Sequence, residues 1–159
     1  PVLTCKTELK KSIFKTKVTA MRAFPVVKDL VADYGQIYED EKKLNLWFEG
    51  KEKEGFLKFF DKEIEEVRKF RSCIECMICV GNCKPKIEGK QTFVGPKSIV
   101  KAMAYDLHPK DTLDRGKLLE GGGLWSCAQT RCCQRNCPEE IPITDGGIVP
   151  AQSRAKKGQ

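Results

Sequence analysis

The sequence predicts a mainly helical chain organised around two cysteine-rich loops, and three observations carry that prediction. Apolar residues recur at helical spacing over three separate segments, the only strand-like alternation is short, and eight of the nine cysteines fall in two tight groups between residues 73 and 137. The strand-like stretch is KTKVTAMR, residues 15 to 22, which alternates polar and apolar side chains until Pro25 stops it. From Asp29 the spacing changes, and Leu30, Tyr34, Ile37, Tyr38 and Leu44 form the apolar stripe of a first helix. A charged link from Glu49 to Glu54 leads to a second helix, with Phe56, Phe60, Ile64 and Val67 on the core face and Lys62, Glu63, Glu66 and Lys69 elsewhere. A third helix is framed by Pro96 at a favoured first position and Pro109 as a stop, and it stacks Ile99, Met103 and Leu107 at intervals of four.

At 159 residues the chain is long enough for one domain with a core, or for one domain and a piece of another. Lys plus Arg outnumber Asp plus Glu by 29 to 22, a formal charge of +7, with both signs interspersed. That balance suits a solvated, mildly basic surface or an acidic protein partner better than a nucleic acid. No apolar run approaches the roughly 18 residues of a membrane helix, and the N-terminus lacks the layout of a signal peptide. The chain is therefore expected to be soluble or peripherally attached. It opens on Pro1, as a processed product or a fragment would.

The thiol spacing is too tight for a secreted disulfide framework and points to metal ligation in a reducing compartment. The first group, CIECMICVGNCKP, reads C-x2-C-x2-C-x3-C over Cys73, Cys76, Cys79 and Cys83, with Pro85 following. Three thiols at this spacing can take three corners of one cubane, while the fourth is carried away toward a different cluster. Zinc needs only two close pairs, so it explains three evenly spaced thiols plus a fourth poorly. The second group, CAQTRCCQRNCP, has Cys127, Cys133 and Cys137 before Pro138. An ordinary second motif would put a thiol at 130, where this chain has Thr130. With ligands crossing over as in two-cluster ferredoxins, Cys73, Cys76, Cys79 and Cys137 hold a 4Fe-4S centre. Cys83, Cys127 and Cys133 then hold a 3Fe-4S centre, because an iron lacking its thiolate is easily lost. Cys132 sits beside a ligand and is read as a spare or packing thiol, with an extra ligand as the alternative.

The combined pattern resembles the iron-sulfur subunit of succinate dehydrogenase and fumarate reductase. FPVVKDLVADYGQIYE (24 to 39) resembles the family's segment leaving its N-terminal domain, FVGPKSIVKAMAYDLHPKD (93 to 111) its helix between the motifs, and LWSC (124 to 127) the approach to its second motif. The resemblance implies an alpha-helical ferredoxin domain over 28–145, preceded over 1–27 by a remnant of a plant-type, β-grasp ferredoxin domain and followed by a tail over 146–159. LTCKTEL, Leu3 to Leu9, is similar to the stretch carrying the last 2Fe-2S ligand of that N-terminal domain. Cys5 is accordingly either a 2Fe-2S ligand completed by residues absent from this chain or an inert thiol, and the chain is either a truncated piece or the product of a split gene.

The same resemblance implies an electron-transfer subunit of an oxidoreductase, with no acid-base residue of its own. It would relay electrons between an FAD-containing flavoprotein that interconverts succinate and fumarate and a quinone or other acceptor on membrane anchor subunits. A separate 2Fe-2S polypeptide is a further implied partner. The implied location is peripheral, on the cytoplasmic side of the inner membrane or the matrix side of the mitochondrial inner membrane, in the respiratory chain and tricarboxylic acid cycle. Backbone amides of 74–82 and 128–136 are the expected donors to sulfur. Lys84, Pro85, Lys86 and Ala128 stand where quinone-reactive members commonly place tryptophan and histidine, which leaves the acceptor open. His108 is read as a solvated helix-end histidine rather than a ligand, and Trp47 and Trp125 as packing residues. GGIVP, Gly146 to Pro150, is expected to interrupt the helix that the family continues. Two other classes stay in view: the small subunit of heterodisulfide or thiol-linked fumarate reductases, and a zinc-stabilised basic module.

Overall fold

A computed structural model of the chain describes residues 1–8, 15–50, 60–90 and 92–157. Eight α-helices are present among them: α1 Gly35–Lys42, α2 Glu65–Arg71, α3 Ile78–Gly81, α4 Lys84–Ile87, α5 Pro96–Asp106, α6 Arg115–Gly121, α7 Cys132–Arg135 and α8 Val149–Lys157. A two-stranded antiparallel hairpin, β1 Val26–Lys28 and β2 Val31–Ala32, precedes them, with Val26 opposite Ala32. The expectation of a mainly helical chain is met.

Helix α5 organises the rest. Gly95, at φ 91°, turns the chain, Pro96 supplies the preset φ of a first helical position, and Ile99 and Met103 point inward with no exposed surface. Helices α1, α2, α3, α6 and the helical turn Ile143–Ile148 all pack against it. Phe70 of α2, Phe93, Leu119 and Ile143 fill the same core. The burial is apolar on most sides, so the hydrophobic term holds α3 of the first cysteine hairpin against α5, and α7 of the second packs in turn on α3 and on the Ile143–Ile148 turn.

Four local expectations are corrected. Residues 15–22 form no strand, since no other strand runs beside them among the described residues, and Val18 is exposed. The first helix starts at Gly35, because Asp29 at φ 52° closes the β1–β2 hairpin and leaves Leu30 on its exposed tip. The second begins at Glu65 after a 3-10 turn over Asp61–Ile64, so Phe60 lies outside it and is 76% exposed, while Val67 and Phe70 take the core positions. Phe56 and most of the Glu49–Glu54 link lie outside the described residues. The GGIVP segment does not interrupt the helix: Ile143–Ile148 is a π-helical turn running into α8, and Ile148 and Ala151 are buried. Its glycines pack closely, since a Cβ on Gly147 would sit 3.3 Å from Phe70 Cε1 and one on Gly146 would sit 3.1 Å from Pro142 Cγ, so either side chain would have to shift by a few tenths of an ångström.

Gly123 fixes how the second hairpin enters the core. It has φ 72°, and a Cβ there would lie 2.4 Å from the carbonyl oxygen of Thr92, while Val94 N donates to Gly122 O at 2.9 Å. Gly123→Ala therefore combines left-handed strain with a backbone collision. It is expected to cost at least about 2 kcal/mol in a urea titration.

Candidate iron-sulfur site

The two hairpins repeat one backbone plan. In the first, Glu75 and Met77 have φ 55° and 61°; in the second, Gln129 and Arg131 both have φ 56°. In each, the second left-handed residue caps a single helical turn, α3 or α7, on which the next cysteine sits. Cys127, Thr130, Cys133 and Cys137 thus occupy the places of Cys73, Cys76, Cys79 and Cys83. Left-handed non-glycine residues cost about 1–2 kcal/mol each, and here they curl the chain so that its thiols face a common centre.

Cys73, Cys76, Cys79 and Cys137 line one cavity, although Cys137 comes from the other hairpin. Cys83, Cys127, Cys133 and Cys132 line a second. Each hairpin therefore sends its last cysteine across to the opposite cavity, the crossing that the spacing predicts. Cys5 is exposed and lines neither, and all nine cysteines are free. Among the described residues no three Cys, His, Asp or Glu close on a point tightly enough to hold a single metal ion.

Burial favours these groups as neutral thiols and makes their thiolates costly. Burial pushes Cys79 far up, Cys83 up to about 12 and Cys133 up to about 11, with neighbouring cysteines adding to each, Cys133 of the second cavity foremost among them for Cys79. Burial likewise raises Cys73 and Cys127. Backbone N–H groups work the other way: Glu75 donates to Cys73, Gln129 to Cys127, Lys86 to Cys83 and Gln134 to Cys133. Three of these four donors lie in the loops expected to supply them, and Lys86 lies just beyond. The Thr144 hydroxyl is 3.4 Å from Cys133 Sγ.

This predicts a pH signature for the metal-free chain. Below about 9, the ordinary value, folded and unfolded chains both keep their thiol protons. Above it the unfolded chain releases protons that the folded chain retains on Cys133 to about 11 and Cys83 to about 12, so stability is lost as pH rises through that window. Urea midpoints measured from pH 8 to 11 should fall for metal-free protein and stay flat for loaded protein, whose thiolates are already deprotonated.

Several residues that shape the site carry no mark in the sequence. Lys97, with a side chain 1% exposed, lines the first cavity and lies 2.6 Å from Glu41 and 3.2 Å from Glu75, the residue between the first two ligands. The Lys97–Glu41 pair has ion-pair distance without hydrogen-bond alignment. Lys101 contacts the same two carboxylates at 3.3 and 2.8 Å. Lys101 and Lys97 hold the Glu75 carboxyl below its usual range against the burial that would raise it. On the second hairpin, Gln152 of α8 donates to Leu124 O at 3.0 Å and Cys127 O at 3.3 Å, and accepts from Gln129 at 2.6 Å. Gln134 accepts from the backbone of Thr144 and Asp145, and Arg131 pairs with Asp145 at 2.8 Å. No spacing rule reveals these contacts, because they join residues distant in sequence.

His108 is buried against Phe48, with ring centroids 4.9 Å apart, rather than solvated. Trp47 and Trp125 are 54% and 43% exposed rather than packed inside. Trp125 donates toward Glu120 and lies under Lys156.

Fold and cavities together define the class: a helical protein with two crossed, thiol-lined sites of iron-sulfur type. Residues 69–141 match the family described as the 4Fe-4S dicluster domain. The chain is 27% identical over 135 residues to the succinate dehydrogenase iron-sulfur subunit of Bacillus subtilis, covering 80% of this chain and 53% of that protein. It is 25% identical to one subunit of the CoM/CoB fumarate reductase of Methanothermobacter marburgensis, covering 97% of this chain and 30% of that protein. Among solved structures, the Mycobacterium smegmatis Sdh1 complex in the apo form aligns with a TM-score of 0.82 and 31% identity, covering 89% of this chain and 61% of that chain. The chain is thus similar to part of the iron-sulfur subunits of succinate dehydrogenase and fumarate reductase. It spans about a third to three fifths of the length of the curated relatives it matches.

Proposed function

We propose that the chain is an electron-transfer subunit of a succinate dehydrogenase or fumarate reductase type complex. The observation that carries this reading is the crossing of Cys137 and Cys83 between hairpins, which gives two thiol-lined cavities in one helical fold. Cys73, Cys76, Cys79 and Cys137 are assigned to a 4Fe-4S cluster, and Cys83, Cys127 and Cys133 to the second cluster, a 3Fe-4S centre if these three alone ligate. Bound clusters would supply one-electron acceptance and release. The protein's contribution is spacing, exclusion of water and hydrogen bonds to sulfur, which the amides of Glu75, Gln129, Lys86 and Gln134 provide. The donor set suits this group: soft thiols, partly or fully buried, distributed around a volume rather than converging on a point. A zinc module fits that distribution poorly.

The implied partners are a flavoprotein, membrane anchor subunits or another acceptor, and a polypeptide that completes a 2Fe-2S centre with Cys5. The domain reading places the alpha-helical ferredoxin domain at 28–145; α8, from Val149, packs on it. No helix among the described residues is long and apolar enough to cross a membrane. The second reading is a thiol-linked fumarate reductase subunit, favoured by the match over 97% of the chain to the CoM/CoB enzyme.

The test is optical. In the anaerobically purified native assembly, succinate should bleach the visible iron-sulfur absorbance and fumarate should restore it. Bleaching by a dithiol but not by succinate selects the thiol-linked reading. Indifference to both overturns the proposal.

A further inference from the structure

Cys132 stands at a place where the hairpin repeat assigns no ligand. Counting from the left-handed caps, Cys132 corresponds to Ile78 and Thr130 to Cys76. Ile78 is buried in the core and does not line the first cavity. Cys132 does line the second, together with Cys83, Cys127 and Cys133, and Thr130 is on the same wall. The position that carries a thiol in the first hairpin is therefore filled here by a hydroxyl, and a thiol two residues later reaches the same space. Both cysteines of the adjacent pair can do so because Cys132 is the first residue of α7, directly after the backbone reverses at Arg131. The expectation that neighbouring residues must diverge holds along a strand and fails at this reversal.

Resting on the iron-sulfur reading above, we propose that Cys132 is the fourth thiolate of the second site, so that this site holds a 4Fe-4S rather than a 3Fe-4S cluster. Cys132 loses its thiol proton to solvent as its sulfur bonds the fourth iron; no electron is exchanged in that step. The second cavity is then as fully ligated as the first, with four thiolates around each.

The experiment is electron paramagnetic resonance with Mössbauer spectroscopy on the anaerobically purified native protein and its Cys132→Ala variant. A three-iron cluster is paramagnetic when oxidised and a four-iron cluster is not. The wild-type protein is expected to give no three-iron signal when mildly oxidised, and two four-iron subspectra. Cys132→Ala is expected to lose one iron per chain from the second site and to gain a three-iron signal approaching one spin per chain. A full three-iron signal in the anaerobic wild-type protein overturns the proposal by itself, whether or not the variant folds, and leaves the electron-transfer reading intact. Absence of sulfide and of any cluster signal in both redox states instead sinks the underlying reading.

Discussion

Replacing Cys137 with alanine is expected to remove the first cluster and, with it, most of the stability of the loaded protein. Cys137 is the one thiol that the second hairpin contributes to the first cavity, beside Cys73, Cys76 and Cys79. Its loss therefore unties two segments more than fifty residues apart as well as opening a ligand position. Bound metal sites contribute to folding on the order of 10 kcal/mol where ligation and folding are linked, far beyond the roughly 1 kcal/mol typical of a point substitution. Iron and acid-labile sulfide per chain should drop by about half, and the thermal transition should broaden or move down by tens of degrees. Cys5→Ala is the matching control. Cys5 is exposed and lines neither cavity, so both helical-body clusters should survive it unchanged. Equal losses from the two variants would contradict the ligand assignment.

The second large effect is expected at Lys97. Its ammonium is almost fully buried, contacts Glu41 and Glu75, and stands 5.1 Å from the ring centre of Tyr38. Lys97→Met removes the cation and leaves Glu41, itself nearly buried, dependent on the partly exposed Lys101. Removing one partner of a buried pair costs about 3–5 kcal/mol, because the remaining charge stays desolvated. The same change takes a positive charge from the wall of the first cavity. An added electron on a cluster held there would then be less stabilised, so the potential of that cluster is expected to fall. Lys97→Arg keeps the charge and should restore most of the potential, though not all of the packing. A redox titration in which Met and Arg variants shift equally would show that Lys97 acts through shape and not charge.

The parts of this fold legible in the sequence are those set by short-range rules. The helix over Pro96–Asp106 follows from a proline at its first position and an i, i+4 stripe, and the structure starts it at Pro96 and caps it at Leu107, the last residue of the stripe. The grouping of Cys73, Cys76, Cys79 with Cys137, and of Cys83 with Cys127 and Cys133, follows from spacing and crossing, and the structure brings the same residues to the same two cavities.

What escapes the sequence depends on contacts at long range or on backbone that carries no signature. The left-handed turns fall on Glu75, Met77, Gln129 and Arg131, none of them glycine, so turn chemistry gives no signal for them. The charge cluster of Glu41, Glu75, Lys97 and Lys101 reads in sequence as ordinary surface, since nothing local says that Lys97 is buried. Gln152 lies in the segment after GGIVP, which reads in sequence as a divergent tail, yet it holds Leu124 and Cys127 in place. Phe60 fails in the opposite direction, because the stripe of apolar residues begins before the point where the helix starts.

The central claim is that two hairpins exchange one cysteine each and thereby close two sulfide-containing clusters around α5. Its most direct measurement is the iron, zinc and acid-labile sulfide content of the anaerobically purified protein, read together with its Mössbauer spectrum. The account predicts about seven to eight irons with a matching amount of sulfide per chain in the helical body, and no stoichiometric zinc. Zinc bound without sulfide, or cysteines paired as disulfides, would contradict it.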